Sequence, residues 1–556
     1  MEFDVPATMP DGTLLRANVY RPAGPGPWPV LLARIPYRKD GRSADLGLDP
    51  VQVASRGYIV VLQDVRGRYA SDGDWDPFAQ EVQDGPASVA WAANLPGSTG
   101  RVGMFGASYL GYAQWAAAIG RPAGLAAIAP RFAPIDAHDG LVSRGGAIEL
   151  GLLAAWHLET GFDVAARALQ HDRAGLAAAQ VRLSAEIDGL AGGGYDELPT
   201  DSFGPIQRAP ASPGFDAFVG TAKEPVADRI SLVDRIATTS VPALHVGGWY
   251  DIFLGDTLRA YIERAGTGVE QRLLIGPWSH LEHGRPIGEQ SFGVASEEGS
   301  MDLAESIEDV QVAWFERHLA GLDGQPQGSP VRLFVMGLNQ WRDEPAWPLP
   351  DARPTEFYLR GGGRLAETPP AANESPDGYA YDPSAAVPTV GGSTLMAAPF
   401  RAGPFDQQAI ERRADVLTYT SDALSEPVEA TGPINVHLWV SSSAPTTDFV
   451  ARLCDVDPAG RSINLADGIV RVGQLLEPRE VAIDLWATSN VFLAGHRIRI
   501  DVTSSSFPRW DRNLNTVTPW TSLEVARVAR QQVFHDIRHP SRVVLPVVPE
   551  RVPRPA

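Results

Sequence analysis

The sequence contains little cysteine, little lysine and no long apolar run. Cys454 is the single cysteine in 556 residues, which excludes an intrachain disulfide and a zinc site built from several cysteines. Lysine occurs only at Lys39 and Lys223, so arginine supplies nearly all of the 47 basic residues. The 67 acidic residues outnumber them and give a formal charge of −20. Because phosphate binding relies on clustered Lys and Arg, this balance argues against nucleic acid as the main partner.

The lack of long apolar runs also argues against a membrane-spanning helix and a signal peptide. No run approaches the ~18 apolar residues that a membrane-spanning helix needs. The acidic start MEFDVP lacks the apolar core of a signal peptide. We therefore expect a cytoplasmic protein without membrane contact. A dinucleotide fingerprint and a P-loop are also absent from the sequence, so we expect no cofactor.

Two acidic segments resemble metal sites only superficially. The segment DGDWD at 72–76 looks like the start of a calcium loop, but Pro77 stands where that loop needs glycine and Gln83 where it needs glutamate. Residues 455–460 are better interpreted as a turn between strands. We predict no metal site, and we expect Cys454 to be buried and inert in its strand.

The patterning divides the chain into four segments. Residues 1–137 alternate short β-rich runs with helical runs, which is typical of a mostly parallel α/β sheet. Residues 138–237 are rich in Ala and Leu at helical spacing, with helices predicted over 149–159 and 162–187, and indicate a helical insertion. The α/β rhythm resumes over 238–347. From 348 to 556 short strands between turns predict a β-sandwich or jelly roll.

One serine lies where a buried strand turns into a helix. The segment GASYLG at 106–111 places Ser108 on this turn, and the flanking small residues allow the strand and helix to approach closely. The second glycine comes one place later than in the usual Gly-x-Ser-x-Gly pattern. The segment therefore supports two interpretations of Ser108, a nucleophile or a structural serine that caps the helix.

Two later strands end in residues that could activate such a serine. Asp251 follows a strand that begins near residue 243, and His280 follows another that begins near 272. The order Ser, Asp, His is that of α/β-hydrolases, in which the histidine accepts the serine proton and the aspartate holds the imidazole. Asp256 and His283 are the alternatives, although each lies farther past its strand. His245 falls inside a strand, and we expect it to be a core histidine.

An acyl-transfer site also needs hydrogen-bond donors for an oxyanion. The backbone N–H of Tyr109, directly after the serine, is one candidate. The second donor usually comes from a glycine-rich loop, which this sequence lacks. Tyr37, just after the strand that ends near residue 35, could supply its hydroxyl instead. The alternative for Tyr37 is simple packing in a loop.

Five ordered motifs together carry a family resemblance. They are RIPY at 34–37, QDVRG at 63–67 with SDG at 71–73, GMFGASYLG at 103–111, GWYD at 248–251 and GPWSH at 276–280. They resemble the cocaine-esterase-like (CocE/NonD) hydrolases, which are related to the X-Pro dipeptidyl-peptidases. The resemblance implies an α/β-hydrolase core, an inserted helical cap, and a C-terminal jelly roll that closes the active site.

The resemblance also implies roles for individual residues. It assigns Ser108 as nucleophile, Asp251 as acid and His280 as base, and it assigns the Tyr37 hydroxyl and the Tyr109 amide to the oxyanion. In the family, aromatic residues at the positions of Trp156 and Phe253 line the acyl pocket. For Trp156, a core tryptophan on an amphipathic helix remains the alternative. The glycine spacing around the serine is the pattern of that family.

These assignments predict a serine carboxylesterase that works through an acyl-enzyme on a small-molecule ester. An amidase or aminopeptidase of the same architecture is the first alternative, either an X-Pro dipeptidyl-peptidase or an acylase acting on β-lactam-like amides. A non-catalytic scaffold whose β-domain binds glycans or a partner is the second. A homodimer is the hypothesis for the assembly.

Overall fold

The computed structural model describes residues 1–41, 47–215, 229–319, 328–370, 373–517 and 526–549. Lys223 lies outside the described residues. No helix within these ranges is both long and apolar enough to cross a membrane.

The first part of the chain builds six of the ten strands of a large sheet. Its strands are β1 (Glu2–Thr8), β2 (Leu14–Tyr20), β3 (Trp28–Ile35), β4 (Ile59–Asp64), β5 (Ser98–Ala107) and β6 (Leu125–Arg131). Its helices are Pro50–Ser55, Glu81–Ala93 and Tyr109–Ile119. Every residue of β4, IVVLQD, is buried, as expected for a parallel strand covered on both faces.

The insertion that follows is mainly helical and begins with a short hairpin. The hairpin consists of β7 (Ser143–Arg144) and β8 (Ala147–Ile148), which the helical pattern did not predict. The helices are Leu150–Ala168, Arg173–Gly189, Gly204–Arg208 and Val233–Ile236.

The break between the first two of these helices lies later than predicted. We expected it at 160–161, but the first helix continues to Ala168. Gly161 does not end the helix, because it serves close packing: a Cβ there would lie 2.7 Å from the Pro210 carbonyl oxygen. The next helix starts where the Asp172 side chain accepts a hydrogen bond from the Gly175 amide.

The second part of the α/β region completes the sheet. It adds β9 (Ala243–Tyr250), β10 (Gln271–Ser279), β11 (Val331–Val335) and β12 (Gln340–Glu344), with helices Leu254–Arg264 and Ile307–Leu319. The strand order is β1-β2-β4-β3-β5-β6-β9-β10-β11-β12. The seven strands from β4 to β11 are parallel, and the outer ones are antiparallel. The carboxyl ends of β5, β9 and β10 therefore share one edge of the sheet.

The remaining strands form a second sheet of 11 strands. They are β13 (Arg353–Arg360), β14 (Arg364–Ala366), β15 (Asp377–Tyr381), β16 (Leu417–Thr420), β17 (Val428–Ser442), β18 (Thr446–Val456), β19 (Ser462–Gly473), β20 (Arg479–Phe492), β21 (Arg497–Thr503), β22 (Ala529–Phe534) and β23 (Arg542–Val548). Two short helical segments lie between them in the described residues, the 3-10 helix Pro383–Ala385 and the α-helix Gln408–Glu411. The pairing is antiparallel except between β14 and β16. The β-rich C-terminal domain is confirmed, whereas its jelly-roll topology stays a prediction.

The hairpin of the insertion contacts the β-rich domain directly. The Arg471 amide donates to the Gly145 carbonyl at 2.7 Å, and the Asp511 amide donates to the Ile148 carbonyl at 2.9 Å. Gly145 has a φ of +54°, and a Cβ there would lie 1.9 Å from the Ile469 carbonyl oxygen. Only glycine allows this approach of the two backbones, so the Gly145-Gly146 pair fixes the insertion against the last domain.

Candidate active site

Ser108 occupies the sharp turn between β5 and the helix Tyr109–Ile119. Its backbone has φ +59° and ψ −125°, a conformation that is strained for a residue with a side chain. Its amide donates to the Arg131 carbonyl at 2.9 Å, which ties the turn to the neighbouring strand β6. The side chain makes no capping bond to the helix. The helix-cap interpretation of Ser108 is therefore wrong, and the hydroxyl is directed elsewhere.

The two glycines around the serine have separate packing reasons. Gly106 has a φ of +120°, and a Cβ there would lie 2.6 Å from the Leu110 Cβ. A Cβ at Gly111 would lie 2.6 Å from the Ala133 Cβ. Residue 111 is the helix position that faces the segment after β6, and there is no room there for a side chain. The second glycine therefore stands at 111, one place later than in the Gly-x-Ser-x-Gly pattern.

The structure brings Ser108, His280 and Asp251 together at the shared edge of the sheet. The His280 Nε2 lies 3.1 Å from the Ser108 Oγ, and its Nδ1 lies 2.7 Å from the Asp251 Oδ1. Asp251 is fully buried and His280 nearly so, while Ser108 keeps partial access. A buried carboxylate on one ring nitrogen favours the tautomer whose other nitrogen can accept a proton from serine. This is the geometry of a nucleophile, a base and an orienting acid.

The rival acid Asp256 has a structural position instead. It lies on the helix Leu254–Arg264, is fully buried, and accepts the amides of Ile135 and Asp136 at 2.8 and 3.1 Å. Burial raises the pKa of its carboxyl well above the ordinary range. Asp256 therefore holds the segment after β6, and Asp251 is the acid that contacts the His280 Nδ1.

The rival histidines are also engaged elsewhere. The His283 ring stacks on Phe132 at 4.8 Å between centroids, and its Nδ1 lies 3.0 Å from Glu298. His245 is buried in β9 with its Nε2 2.8 Å from the Gln271 side-chain oxygen, and burial lowers its pKa to about 3. The expectation that His245 is a core histidine is confirmed.

The two oxyanion candidates flank the serine from different elements. Tyr109 is the first residue of its helix, and amides of the first turn have no acceptor within the helix. Its phenol is buried below, where it accepts the Phe78 amide at 3.1 Å and donates to Glu81 at 3.3 Å. Tyr37 follows β3, and its hydroxyl oxygen accepts the Trp156 indole N–H at 3.1 Å.

A cavity of about 280 Å³ opens onto Ser108, His280, Tyr37 and Tyr109. Its apolar walls include Phe78, Leu152, Leu153, Trp156, Phe253, Leu395 and Met396. The Phe253 ring meets the His280 ring edge to face at 5.3 Å. Trp156 stacks on Phe78 at 5.8 Å and is half-buried. Both predicted pocket aromatics thus line the cavity, together with Leu395 and Met396 from the segment between β15 and β16.

The chain is similar to known hydrolases over nearly its whole length. Residues 11–282 match the X-Pro dipeptidyl-peptidase (S15 family) model, and residues 325–544 match the model of the X-Pro dipeptidyl-peptidase C-terminal non-catalytic domain. A cocaine esterase from Rhodococcus sp. (strain MB1 Bresler) is 39% identical to the chain, over 98% of each protein. The chain belongs to the cocaine-esterase-like (CocE/NonD) hydrolase family. It is a serine hydrolase enzyme, as the sequence predicted.

Solved structures share the fold of this CocE/NonD family member. An aminopeptidase from the marine sediment archaeon Thaumarchaeota archaeon matches with a TM-score of 0.79 and 24% identity, over 98% of this chain and 97% of that one. An α-amino acid ester hydrolase matches with a TM-score of 0.80 and 24% identity, over 98% and 96%. Both likenesses establish the fold, which serves more than one kind of hydrolase.

Glu159 also lines the cavity, and the sequence analysis missed it. It is the single residue with a carboxyl side chain among the described lining residues. The signal was present in the sequence, because Glu159 follows Trp156 by three positions on one helix and such residues share a face. Burial raises the pKa of its carboxyl above the ordinary value.

One group of side chains in the described residues has the spacing of metal ligands. Glu411, Cys454 and Asp501 lie together in the β-rich domain. Arg499 is hydrogen-bonded to Glu411, and Arg452 lies 3.3 Å from Asp501, so both carboxylates already have cationic partners. Burial raises the pKa of the Cys454 thiol, which disfavours the thiolate that would bind a metal. The group belongs to the packed interior of its domain.

Proposed function

We propose that this enzyme cleaves carboxylic esters through an acyl-enzyme formed on Ser108. The Ser108 Oγ attacks the ester carbonyl while its proton passes to the His280 Nε2. Asp251 holds the Nδ1–H and stabilises the imidazolium. The observation that carries this proposal is the continuous chain of short contacts, 3.1 Å from Ser108 to His280 and 2.7 Å from His280 to Asp251, at an open cavity.

The negative charge that develops on the carbonyl oxygen is assigned to two donors. The Tyr109 amide is one, since it follows the nucleophile in the first turn of the helix. The Tyr37 hydroxyl is the other, because it lines the same cavity as Ser108 and a phenol can donate as well as accept. Donors fixed before the reaction stabilise the transition state without reorganisation.

The second half of the reaction regenerates the enzyme. The imidazolium of His280 gives its proton to the departing alkoxide oxygen, which leaves as the alcohol. Neutral His280 then takes a proton from water, whose oxygen attacks the acyl carbonyl, and returns that proton to Ser108 as the carboxylic acid leaves. Trp156 and Phe253 are proposed to contact the substrate, since both line the cavity.

Hydrolysis of aryl and alkyl esters by wild type and a Ser108→Ala variant tests this function. The variant is expected to lose turnover and to retain the fold, because only the hydroxyl of a half-accessible turn residue is removed. Labelling by a fluorophosphonate should disappear in the same variant. Labelling that persists at another residue would contradict the assignment, and absence of both turnover and labelling in wild type would favour the scaffold alternative.

Amide cleavage is the second candidate, favoured by the match of the catalytic region to the X-Pro dipeptidyl-peptidase model. The ester is preferred because the relative with 39% identity over 98% of the chain is named a cocaine esterase. Matched chromogenic substrates, an aryl ester and an X-Pro anilide, separate the two. A higher kcat/KM on the anilide would reverse the preference.

The domain boundaries, the assembly and the cellular compartment are also proposals. We propose domain boundaries at 137/138, 237/238 and 347/348, supported by sheet strands that end at Arg131, resume at Ala243 and end at Glu344. We also propose a homodimer in the cytoplasm with a small-molecule substrate. Light scattering of the purified protein and fractionation of the producing cells test the assembly and the compartment.

A further inference from the structure

A buried arginine binds the residue that precedes Tyr37 and has no part in the reaction proposed so far. Arg68 lies in the loop after β4, and only 1% of its surface is exposed. Its Nε donates to the Pro36 carbonyl at 2.8 Å, and its Nη1 donates to the Thr160 carbonyl at 3.0 Å. One guanidinium therefore joins the peptide before Tyr37 to the cap helix, Leu150–Ala168 of the insertion.

The cap helix also holds the other end of Tyr37. Its Trp156 donates the indole N–H to the Tyr37 hydroxyl oxygen at 3.1 Å. Trp156 and Thr160 are one helical turn apart, and the Thr160 hydroxyl donates to the Trp156 carbonyl at 2.6 Å. The backbone and the hydroxyl of Tyr37 are therefore both tied to one turn of the cap helix, the backbone through Arg68 and the hydroxyl through Trp156.

Two further contacts fix the guanidinium between these segments. It lies over the Trp75 ring, 4.1 Å from the centroid, and its Nη1 lies 3.5 Å from the Asp163 Oδ2. Asp163 is a buried residue of the cap helix and accepts the Tyr69 amide of the Arg68 loop at 3.1 Å. A planar guanidinium can donate in several fixed directions and stack on a ring at the same time, which the ammonium of lysine cannot.

We propose that Arg68 is a positioning residue, which holds the Tyr37 hydroxyl where it donates to the oxyanion. The proposal rests on the ester hydrolysis proposed for Ser108 and on the oxyanion role proposed for Tyr37. Without the Arg68 bond, the backbone of Tyr37 would be free to shift even while its hydroxyl stays bonded to Trp156. The bond to the Pro36 carbonyl removes that freedom, so the donor is in place before the substrate oxygen becomes charged.

A residue with this role acts on the chemical step rather than on substrate binding. Arg68 is not among the described residues that line the cavity, so its replacement should leave the substrate contacts intact. Displacing a donor that acts in the transition state lowers kcat without a matching rise in KM. Arg68→Met removes the donors but keeps an unbranched side chain beside Trp75, and it should lower kcat by about tenfold or more with little change in KM.

A double-mutant cycle with Tyr37→Phe shows whether this effect passes through the phenol. The kcat on 4-nitrophenyl butanoate is measured for wild type, Arg68→Met, Tyr37→Phe and the double variant. If Arg68 acts by placing the Tyr37 hydroxyl, its replacement should lower kcat by less than about threefold once that hydroxyl is gone. A merely structural role would lower kcat by the same factor in both backgrounds, and that result would overturn the proposal.

Arg167→Met is the matched control. Arg167 lies on the cap helix and donates to the carbonyls of Tyr69 and Ser71 at 2.8 and 2.9 Å, so it also ties the cap to the loop after β4. In the described structure its hydrogen bonds go to this loop. The control should lower the free energy of unfolding and leave kcat close to that of wild type. An equal kcat loss in the two arginine variants would overturn the proposal, since any loosening of the cap would then suffice.

The outcomes separate this inference from the function beneath it. If wild type cleaves no 4-nitrophenyl ester, or if Tyr37→Phe alone lowers kcat by less than about tenfold, that function is wrong and the positioning role falls with it. If Tyr37→Phe lowers kcat and Arg68→Met does not, the positioning role alone is overturned.

A second variant covers the case in which Arg68→Met does not fold. Arg68→Lys then takes its place in the cycle, because it keeps the positive charge beside Asp163 while its ammonium cannot reproduce the two-directional fork. We expect the same pattern, a loss in kcat that nearly disappears in the Tyr37→Phe background. A wild-type kcat in Arg68→Lys would overturn the proposal.

Discussion

The indole Nε1 of Trp156 lies 3.1 Å from the phenol oxygen of Tyr37. An indole nitrogen can only donate, so the Tyr37 oxygen is the acceptor in this bond. The bond links the cap helix Leu150–Ala168 to the loop after β3. The orientation of the proposed oxyanion donor therefore depends on the position of the cap.

Tyr37→Phe should lower kcat by about 10²–10³ with a small change in KM, because the oxyanion donor acts mainly in the transition state. Steady-state kinetics on a 4-nitrophenyl ester measures this effect. A loss below about tenfold would exclude the hydroxyl as an oxyanion donor.

Trp156, which donates its indole N–H to Tyr37, provides a control for the Tyr37→Phe prediction. Trp156→Phe keeps an aromatic wall but removes the donor, and its effect should be smaller than that of Tyr37→Phe. In the double variant the two losses should not add, because the indole acts through the phenol. Additive losses would show that Trp156 acts on the substrate independently.

Asp251→Ala should lower activity, whereas Asp256→Ala should lower stability. Without Asp251 the His280 ring is no longer held in the tautomer that can accept the serine proton, so kcat should fall by about 10³–10⁴. Removing Asp256 leaves the buried Ile135 amide and the part-buried Asp136 amide without this acceptor, and it should cost about 1–3 kcal/mol of unfolding free energy with kcat largely kept. Urea unfolding and kinetics on both variants check this. A kcat loss in Asp256→Ala equal to that in Asp251→Ala would reopen the choice of acid.

Gly111→Ala should destabilise the protein through overpacking. A Cβ at residue 111 would lie 2.6 Å from the Ala133 Cβ and 3.1 Å from the Arg131 carbonyl oxygen, which is the acceptor of the Ser108 amide. We expect a loss of about 1–3 kcal/mol in unfolding free energy and reduced activity. Gly189→Ala is the matched control, because a Cβ there meets nothing within 4 Å. Equal effects of the two substitutions would contradict the packing reason for the glycine spacing.

The clustering of the three residues of the proposed triad could be predicted because their signals are local. Ser108, Asp251 and His280 each follow a short buried strand, and parallel strands bring such ends to one edge. Glu159 could not be placed at the cavity this way, since its position there depends on how the cap helix is rotated over the sheet. The 395–396 wall depends on how the β-rich domain packs against the cap, which sequence periodicity does not specify.

The break that the sequence predicted at 160–161 is another case in which local pattern does not decide the structure. Thr160-Gly161 suggested an end to the helix, but tertiary packing against Pro210 keeps glycine inside a continuous helix. The hairpin 143–148 was missed because its strands are two residues each and its glycines serve contact with β19. Both errors lie in the insertion, where long-range contacts decide the local structure.

Rapid-quench intact mass spectrometry with a 4-nitrophenyl ester tests the central claim most directly. The account predicts a burst of 4-nitrophenol with an acyl adduct that peptide mapping places on Ser108, and no adduct in Ser108→Ala. An adduct on any other residue, or steady turnover that persists in Ser108→Ala, would contradict it.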